Sequence, residues 1–513
     1  MNLLWSRIRK SALANSHRVA LAAKFGREQM KYGELLAQVE RLSAEISAME
    51  ANPLALCCDN GPDWVIADLA CLAVDQCIVP LPTFFTTSQI KHALTDAGVI
   101  QVLTDNPALF ETMGYAVSPC QLAGTDLYLL ECAQKSSVAL PEGTQKITYT
   151  SGSTGNPKGV CLGVQQVFAV TSAIDAVLNE SISRHLSVLP LSTLLENIAG
   201  VYMGLLRGAE IHVPELDELG LSGSSGIDPG QFLRAVEGIR PDSLILVPAL
   251  LNVLLGGVAQ GWQAPESLKF VAIGGGKVSP ALINQAMHAG LPVFEGYGLS
   301  ECASVVSLNT AEVNRPGSVG QVLPHIKVEI DEGEIVIHGN TFLGYCGQDA
   351  PPARQFRTGD LGYLDASGFL YVTGRKKDVL ITSFGRNISP EWIEAELSRL
   401  SGIRMSMVVG EGRPFCAALL MVSPGVSDAS IAAALQHLNR QLPDYAMILR
   451  WCRTGEDFSV ANGALTSNGR LRRSIINQIY FEQIDALYLE PVAEPVAQGR
   501  QSQIQHMEQE EVS

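Results

Sequence analysis

Short apolar runs alternate with stretches of helical periodicity through the first three hundred residues. Runs of strand length occupy 77–81, 99–104, 186–191, 243–247 and 268–273, each followed by a helical pattern or a turn. Such alternation predicts an α/β fold whose layered sheets are largely parallel. The texture changes at about 317–374, where the runs 327–330, 334–338 and 369–372 are short and punctuated by Gly and Asp. This stretch predicts a β-rich module. A helix is expected at 390–400, with Ser389 as N-cap and Pro390 at the first helical position. The chain therefore divides into a large domain over 1–376, a small mobile α+β domain over 377–490, and a Gln- and Glu-rich tail over 491–513 that reads as disordered.

Composition narrows the classes. A chain of 513 residues is too long for one core. With 47% hydrophobic and 17% charged residues it is neither disordered nor collagen-like. Lys plus Arg is 36 against 52 for Asp plus Glu, a net charge of −16. That balance argues against broad nucleic-acid binding, while leaving small anions to local donors. The most apolar segment, 244–259, contains Pro248 and Asn252 and is shorter than the roughly 18–20 residues of a membrane span. Residues 1–27 hold six Lys or Arg and no acid. They read as a basic surface helix rather than a transit peptide, because domain-like patterning begins near Arg18. Eleven cysteines without CxxC spacing read as reduced thiols of a cytoplasmic protein.

The most informative stretch is Thr148-Tyr-Thr-Ser-Gly-Ser-Thr-Gly-Asn-Pro-Lys158-Gly159. Its glycines let backbone N–H groups turn toward an anion, its hydroxyls add donors, and Lys158 supplies a mobile positive charge. A Walker A loop is excluded, because from Gly152 the sixth position is Pro157 and Lys158 is followed by Gly159. The loop lies between strand-like runs at 146–149 and 160–162, which sets it apart from a flexible linker.

Together with Phe294-Glu-Gly-Tyr-Gly-Leu-Ser-Glu301, Gly274-Gly275-Gly276, Phe356-Arg-Thr-Gly-Asp360 and Thr373-Gly-Arg-Lys-Lys-Asp378, this loop resembles the motifs of the adenylate-forming superfamily, in the family's order. The set is closest in pattern to fatty acyl-CoA ligases. The resemblance implies an ATP-dependent ligase that activates a carboxylic acid as its adenylate and passes the acyl group to coenzyme A. ATP, Mg²⁺ and CoA would be its cofactors and co-substrates. It implies nucleotide contacts at Thr150, Ser151, Gly152, Ser153, Thr154, Gly155, Gly274, Gly275, Gly276, Tyr297, Asp360 and Arg375. Catalytic roles would fall on Lys158, Ser300, Glu301 and Arg470, with magnesium on Glu301. A domain pivot is implied at Lys377 and a thiol tunnel at Gly385.

Three departures from the family pattern stand out. Arg470, in Ala464-Leu-Thr-Ser-Asn-Gly-Arg470, occupies the position of a lysine that bridges the acid and the phosphates; an Arg fork is not equivalent to an ammonium. Thr193 stands where long-chain ligases commonly carry histidine, and Gly163-Val-Gln165 where many relatives have a Ser-His pair. A ligase that loads an acyl carrier protein is the alternative acceptor reading. A weakly active or non-catalytic nucleotide binder is the alternative suggested by Arg470. No aspartate occurs in 189–196 to pair an amino group, which disfavours amino-acid substrates. The Leu-rich segments 189–195 and 244–255 are candidates for an acyl tunnel, although most such residues serve as core.

Overall fold

The computed structural model describes residues 2–49, 52–122, 124–132, 138–150, 157–222, 226–348, 355–381, 387–466 and 469–489. The strand-like runs assemble two large sheets. One has nine strands. Its parallel centre runs, in spatial order, Val293–Tyr297, Phe270–Ile273, Ser243–Leu246, Arg184–Leu186, Glu210–His212 and Val19–Ala23. The other has eight strands and is mixed: Lys146–Thr150, Ile78–Pro80, Leu54–Cys57 and Gln101–Thr104 are parallel neighbours, while both flanks are antiparallel. Parallel strands predominate only in the first sheet.

Helices bury their apolar stripes between these sheets. Tyr32, Trp64 and Tyr202 are among the largest side chains lost from solvent there. The basic N-terminal segment is helical over Leu3–Ala14, but Leu4, Ile8 and Ala12 are buried, so one face belongs to the core. The run at 186–191 pairs only as Arg184–Leu186. Beyond it Pro190 offers no N–H to a ladder and its carbonyl accepts from Thr193 N–H at 2.9 Å, which turns the chain. The apolarity of that segment reflects burial, not strand pairing.

The β-rich stretch forms a four-stranded antiparallel sheet, Ile326–Asp331, Glu334–Gly339, Gln355–Leu364 and Leu370–Arg375. The smaller C-terminal domain carries a three-stranded sheet, Ile403–Val409, Cys416–Val422 and Ile448–Arg453. Helix Pro390–Leu397 packs on its first strand. Pro390 takes the first helical position as expected, whereas the Ser389 hydroxyl makes no capping bond. Among the described residues no helix is long and apolar enough to cross a membrane.

Candidate active site

Lys146–Thr150 and Lys158–Leu162 pair antiparallel, with Thr150 opposite Lys158. The strands on either side of the glycine- and hydroxyl-rich stretch are thus antiparallel neighbours, and Lys158 opens a strand where a Walker motif would open a helix. Ser151, Gly152, Ser153, Thr154 and Gly155 lie outside the described residues. Gly159 permits a close approach here: a Cβ would lie 2.6 Å from Cys346 Sγ and 3.0 Å from the Tyr149 ring. That space lets the strand Gly344–Tyr345 pair along Lys158–Leu162 and deliver Tyr345 to the site. The Tyr345 ring centroid is 5.5 Å from Lys158 Nζ, and its hydroxyl donates to Glu301 Oε1 at 2.9 Å. Burial, then the Glu301 charge, pushes the Tyr345 phenol up, so it stays a donor.

Ser300 and Glu301 sit on a single helical turn, Ser300–Cys302. Ala303 and Ser304 follow at φ of 54° and 104°, a conformation L-residues rarely take. The Glu301 carbonyl accepts from Phe342 N–H at 2.7 Å, tying this turn to the segment that leads into Tyr345. Just upstream, Tyr297 donates its hydroxyl to Asp360 Oδ2 at 2.6 Å, and Arg375 Nε lies 3.0 Å from Asp360 Oδ1. Asp360 and Arg375 face each other across adjacent antiparallel strands. Burial, then the Asp360 charge, holds the Tyr297 phenol protonated.

Gly274 and Gly275 follow the strand Phe270–Ile273 and line the same space. Gly275 has φ of 77°, and its carbonyl accepts from Arg470 Nη2 at 3.1 Å. Arg470 comes from the small domain, so this contact closes the site across the two parts of the chain. Its side chain remains open to the cavity while protein surrounds it. That enclosure, followed by the Arg375 charge, moves its pKa downward.

These groups line one cavity of about 800 Å³. The lining carries five cations, Lys158, Arg375, Lys376, Lys377 and Arg470, in a chain of net charge −16; Arg375 pairs with Asp360 and Lys376 with Glu334. The same lining includes Gly274, Gly275 and Gly296 and an apolar arm of Ile174, Leu178, Leu194, Met203, Phe270 and Val305. The donor set suits magnesium: Glu301 offers one carboxylate, and no cluster of three or more His, Cys, Asp or Glu occurs among the described residues. A Mg²⁺ ion held by one carboxylate, phosphate oxygens and water requires no more.

Not every expected residue meets the cavity. Gly276 is not part of its lining; a Cβ there would face Pro248 at 3.5 Å. Lys377 lies at the rim, exposed. Gly385 lies outside the described residues. Of the two Leu-rich segments, Leu194, Leu195, Leu244 and Ile245 reach the arm, whereas Leu250, Leu251, Leu254 and Leu255 are core. Tyr345, His185 and Ser243 line the cavity without having been marked by any motif. His185 and Ser243 meet because their strands are parallel neighbours in register, which no local pattern encodes.

The chain matches the family model described as AMP-binding enzyme over residues 8–346, and that of the AMP-binding enzyme C-terminal domain over 377–491. It is 28% identical over 446 residues to the 2-succinylbenzoate–CoA ligase of Bacillus velezensis, covering 80% of this chain and 87% of that protein. It is 25% identical over 529 residues to the long-chain-fatty-acid–CoA ligase FadD15 of Mycobacterium bovis, covering 83% and 86%. The fold is that of the O-succinylbenzoate coenzyme A synthetase of Bacillus subtilis solved with ATP and magnesium ion. The TM-score is 0.71 at 23% identity, with 91% of this chain and 98% of that chain covered. ATP, Mg²⁺ and CoA are the usual substrates and cofactors of such ligases. An antiparallel hairpin, a Tyr-Asp-Arg cluster and an arginine reaching in from the C-terminal part thus coincide with two consecutive family models, and the chain belongs to the AMP-binding enzymes of the adenylate-forming superfamily.

Proposed function

We propose that this chain is an AMP-forming acid:CoA ligase of the reducing cytoplasm, acting on a hydrophobic carboxylic acid. The observation that carries this reading is the single cavity in which the cationic cluster opens into an apolar arm, with Arg470 reaching across from the small domain. In the first half-reaction a carboxylate oxygen attacks the α-phosphorus of ATP and pyrophosphate leaves. Lys158 and the hairpin donors would hold the outer phosphates, Asp360 the ribose hydroxyls, and Arg470 the charge gathering between acid and α-phosphate. Magnesium on Glu301 would supply further neutralisation of the phosphate oxygens. In the second half-reaction the CoA thiol attacks the acyl carbon and AMP leaves, with the small domain turning about Lys377 to exchange one set of groups for another.

The fatty-acid preference expected from the sequence rests on the motif pattern, with the Leu-rich segments as candidate tunnel walls; Thr193, Leu194, Leu195, Leu244 and Ile245 of those segments line the cavity. The relatives carry names of both 2-succinylbenzoate and long-chain fatty-acid ligases, so the reading keeps to a hydrophobic acid. Acid-dependent ATP–pyrophosphate exchange tests it, across alkyl and aryl acids, followed by AMP release with CoA or with a phosphopantetheinylated carrier protein. Exchange with some acids and CoA-dependent release is the expected result, with Glu301→Gln reducing exchange about a hundredfold. ATP binding without exchange for any acid overturns it.

A further inference from the structure

The inner part of the apolar arm contains a polar trio that the ligase chemistry does not use. Strands Arg184–Leu186 and Ser243–Leu246 are parallel neighbours and place His185 directly beside Ser243. Both residues line the cavity, although they are only 3% and 6% exposed. His185 Nδ1 lies 2.8 Å from Ser243 Oγ, and His185 Nε2 lies 2.8 Å from Glu196 Oε1. Glu196 is fully buried, and its Oε2 accepts from Leu189 N–H at 3.1 Å. It opens a π-helical turn, Glu196–Tyr202, and such turns recur at functional sites. Gly200 on this turn leaves the pair its room: a Cβ there would lie 2.6 Å from His185 Nε2 and would collide with Glu196.

Hydrogen-bond capacity decides what this trio can recognise. A serine hydroxyl has one donor and two acceptor positions, and Ser243 Oγ makes one side-chain contact here, to His185. An ionised Glu196 requires N–H at Nε2. If Nδ1 carries no proton, Ser243 donates to it and keeps lone pairs for a ligand. If Nδ1 is protonated, Ser243 accepts from it and its O–H turns to the ligand. A hydroxyl both donates and accepts, so it fits either state. A carboxylate only accepts, so it fits just the state in which Nδ1 carries the proton. The nearby cation Arg207 is also occupied, binding the Asp175 carboxylate and the carbonyls of Asp175, Leu178 and Glu180.

Resting on the ligase reading above, we infer that Ser243, oriented by His185 and Glu196, is a specificity-determining residue that selects carboxylic acids carrying a neutral hydroxyl at the end remote from the carboxylate. An acid with only hydrocarbon beside Ser243 displaces water from this buried position and offers the hydroxyl no partner in return. Sites built to hydrogen-bond a substrate hydroxyl reject the analogue lacking it far more strongly than apolar pockets sort methylene groups.

The test is kcat/KM for pyrophosphate exchange on matched acids: cinnamic acid against its para-hydroxy derivative, and a medium-chain fatty acid against its ω-hydroxy derivative. For at least one pair the full-length protein should prefer the hydroxylated member by about tenfold or more. Ser243→Ala should bring that ratio to near unity, mainly through KM of the hydroxylated acid, and Ser243→Thr should restore much of it. A merely structural role for Ser243 would lower both rates and leave the ratio in place. Exchange with equal preference in the unmodified protein, or a preference that survives Ser243→Ala, overturns the inference while the ligase reading stands. No exchange with any acid overturns both. Should Ser243→Ala fail to fold, the ratio in the unmodified protein decides the matter alone.

Discussion

Arg470 is the residue on which the site turns. Its fork donates to the Gly275 carbonyl, so it is positioned by backbone beside the expected adenylate as well as carrying charge. Arg470→Ala should lower pyrophosphate exchange by about 10²–10³, as for the loss of one preorganised donor. Arg470→Lys should retain exchange within about tenfold, since the ammonium keeps the charge and loses the fork. A single-turnover assay with a good substrate checks both. Another single residue controls acid stability. His325 has both ring nitrogens buried and unpartnered among the described residues, and burial pushes its pKa down to about 4. The unfolded chain takes up a proton below about 6.5 while the folded chain resists until about 4. The stability that rests on neutral His325 is therefore complete above 6.5 and lost as pH falls through 4. Melting curves over that window should show a steeper fall for the parent protein than for His325→Asn. That Lys158, Tyr297, Ser300, Glu301, Asp360 and Arg375 belong together was legible because each falls in a short contiguous motif, and all of them line the one cavity. Tyr345 and Ser243 were not legible: their partners lie 44 and 58 residues away in the chain, and nothing adjacent to either betrays the meeting.

Among the elements, the hairpin of Lys146–Thr150 and Lys158–Leu162 has a buried knot at its base. Lys146 opens the strand Lys146–Thr150, and its ammonium reaches Asp68 and Asn197 at 2.6 Å each and the Tyr202 hydroxyl at 3.1 Å. Asp68 accepts further bonds from Asn197 and Tyr202 at 2.9 and 2.6 Å. Lys146 and Asp68 are each 1% exposed. Helix Pro62–Ala73, the hairpin and the π-helical turn are thereby locked to one another. Lys146→Met should destabilise this domain by about 3–5 kcal/mol, because it strands the Asp68 carboxylate in the interior. Adding Asp68→Leu to Lys146→Met should recover much of the lost melting temperature. If the single variant melts like the parent, the knot contributes nothing. Several strands were legible as apolar runs: Phe270–Ile273, Glu334–Gly339 and Ser243–Leu246 differ from the expected bounds by two residues or fewer at either end. The antiparallel flanks of the eight-stranded sheet were not, since a buried apolar strand reads alike in either pairing direction.

At the scale of the whole molecule, the small domain is docked with Arg470 in the cavity, an arrangement suited to the first half-reaction. In the proposed mechanism thioester formation would move it away, and the proposed pivot at Lys377 lies on the exposed rim. Lys377→Pro restricts φ there and should slow CoA-dependent acyl transfer by tenfold or more while pyrophosphate exchange persists. Equal loss of both half-reactions would place the pivot elsewhere. The sequence by itself determined the family and the order of the motifs, because these are short contiguous stretches whose residue types can be matched without the fold. Only the tertiary structure decided which leucines line the arm and which form the core, how Tyr345 comes to lie between Lys158 and Glu301, and that His185, Ser243 and Glu196 form one hydrogen-bonded chain. Those features depend on strand register and on close approach at Gly159 and Gly200, that is, on contacts between segments distant in the chain.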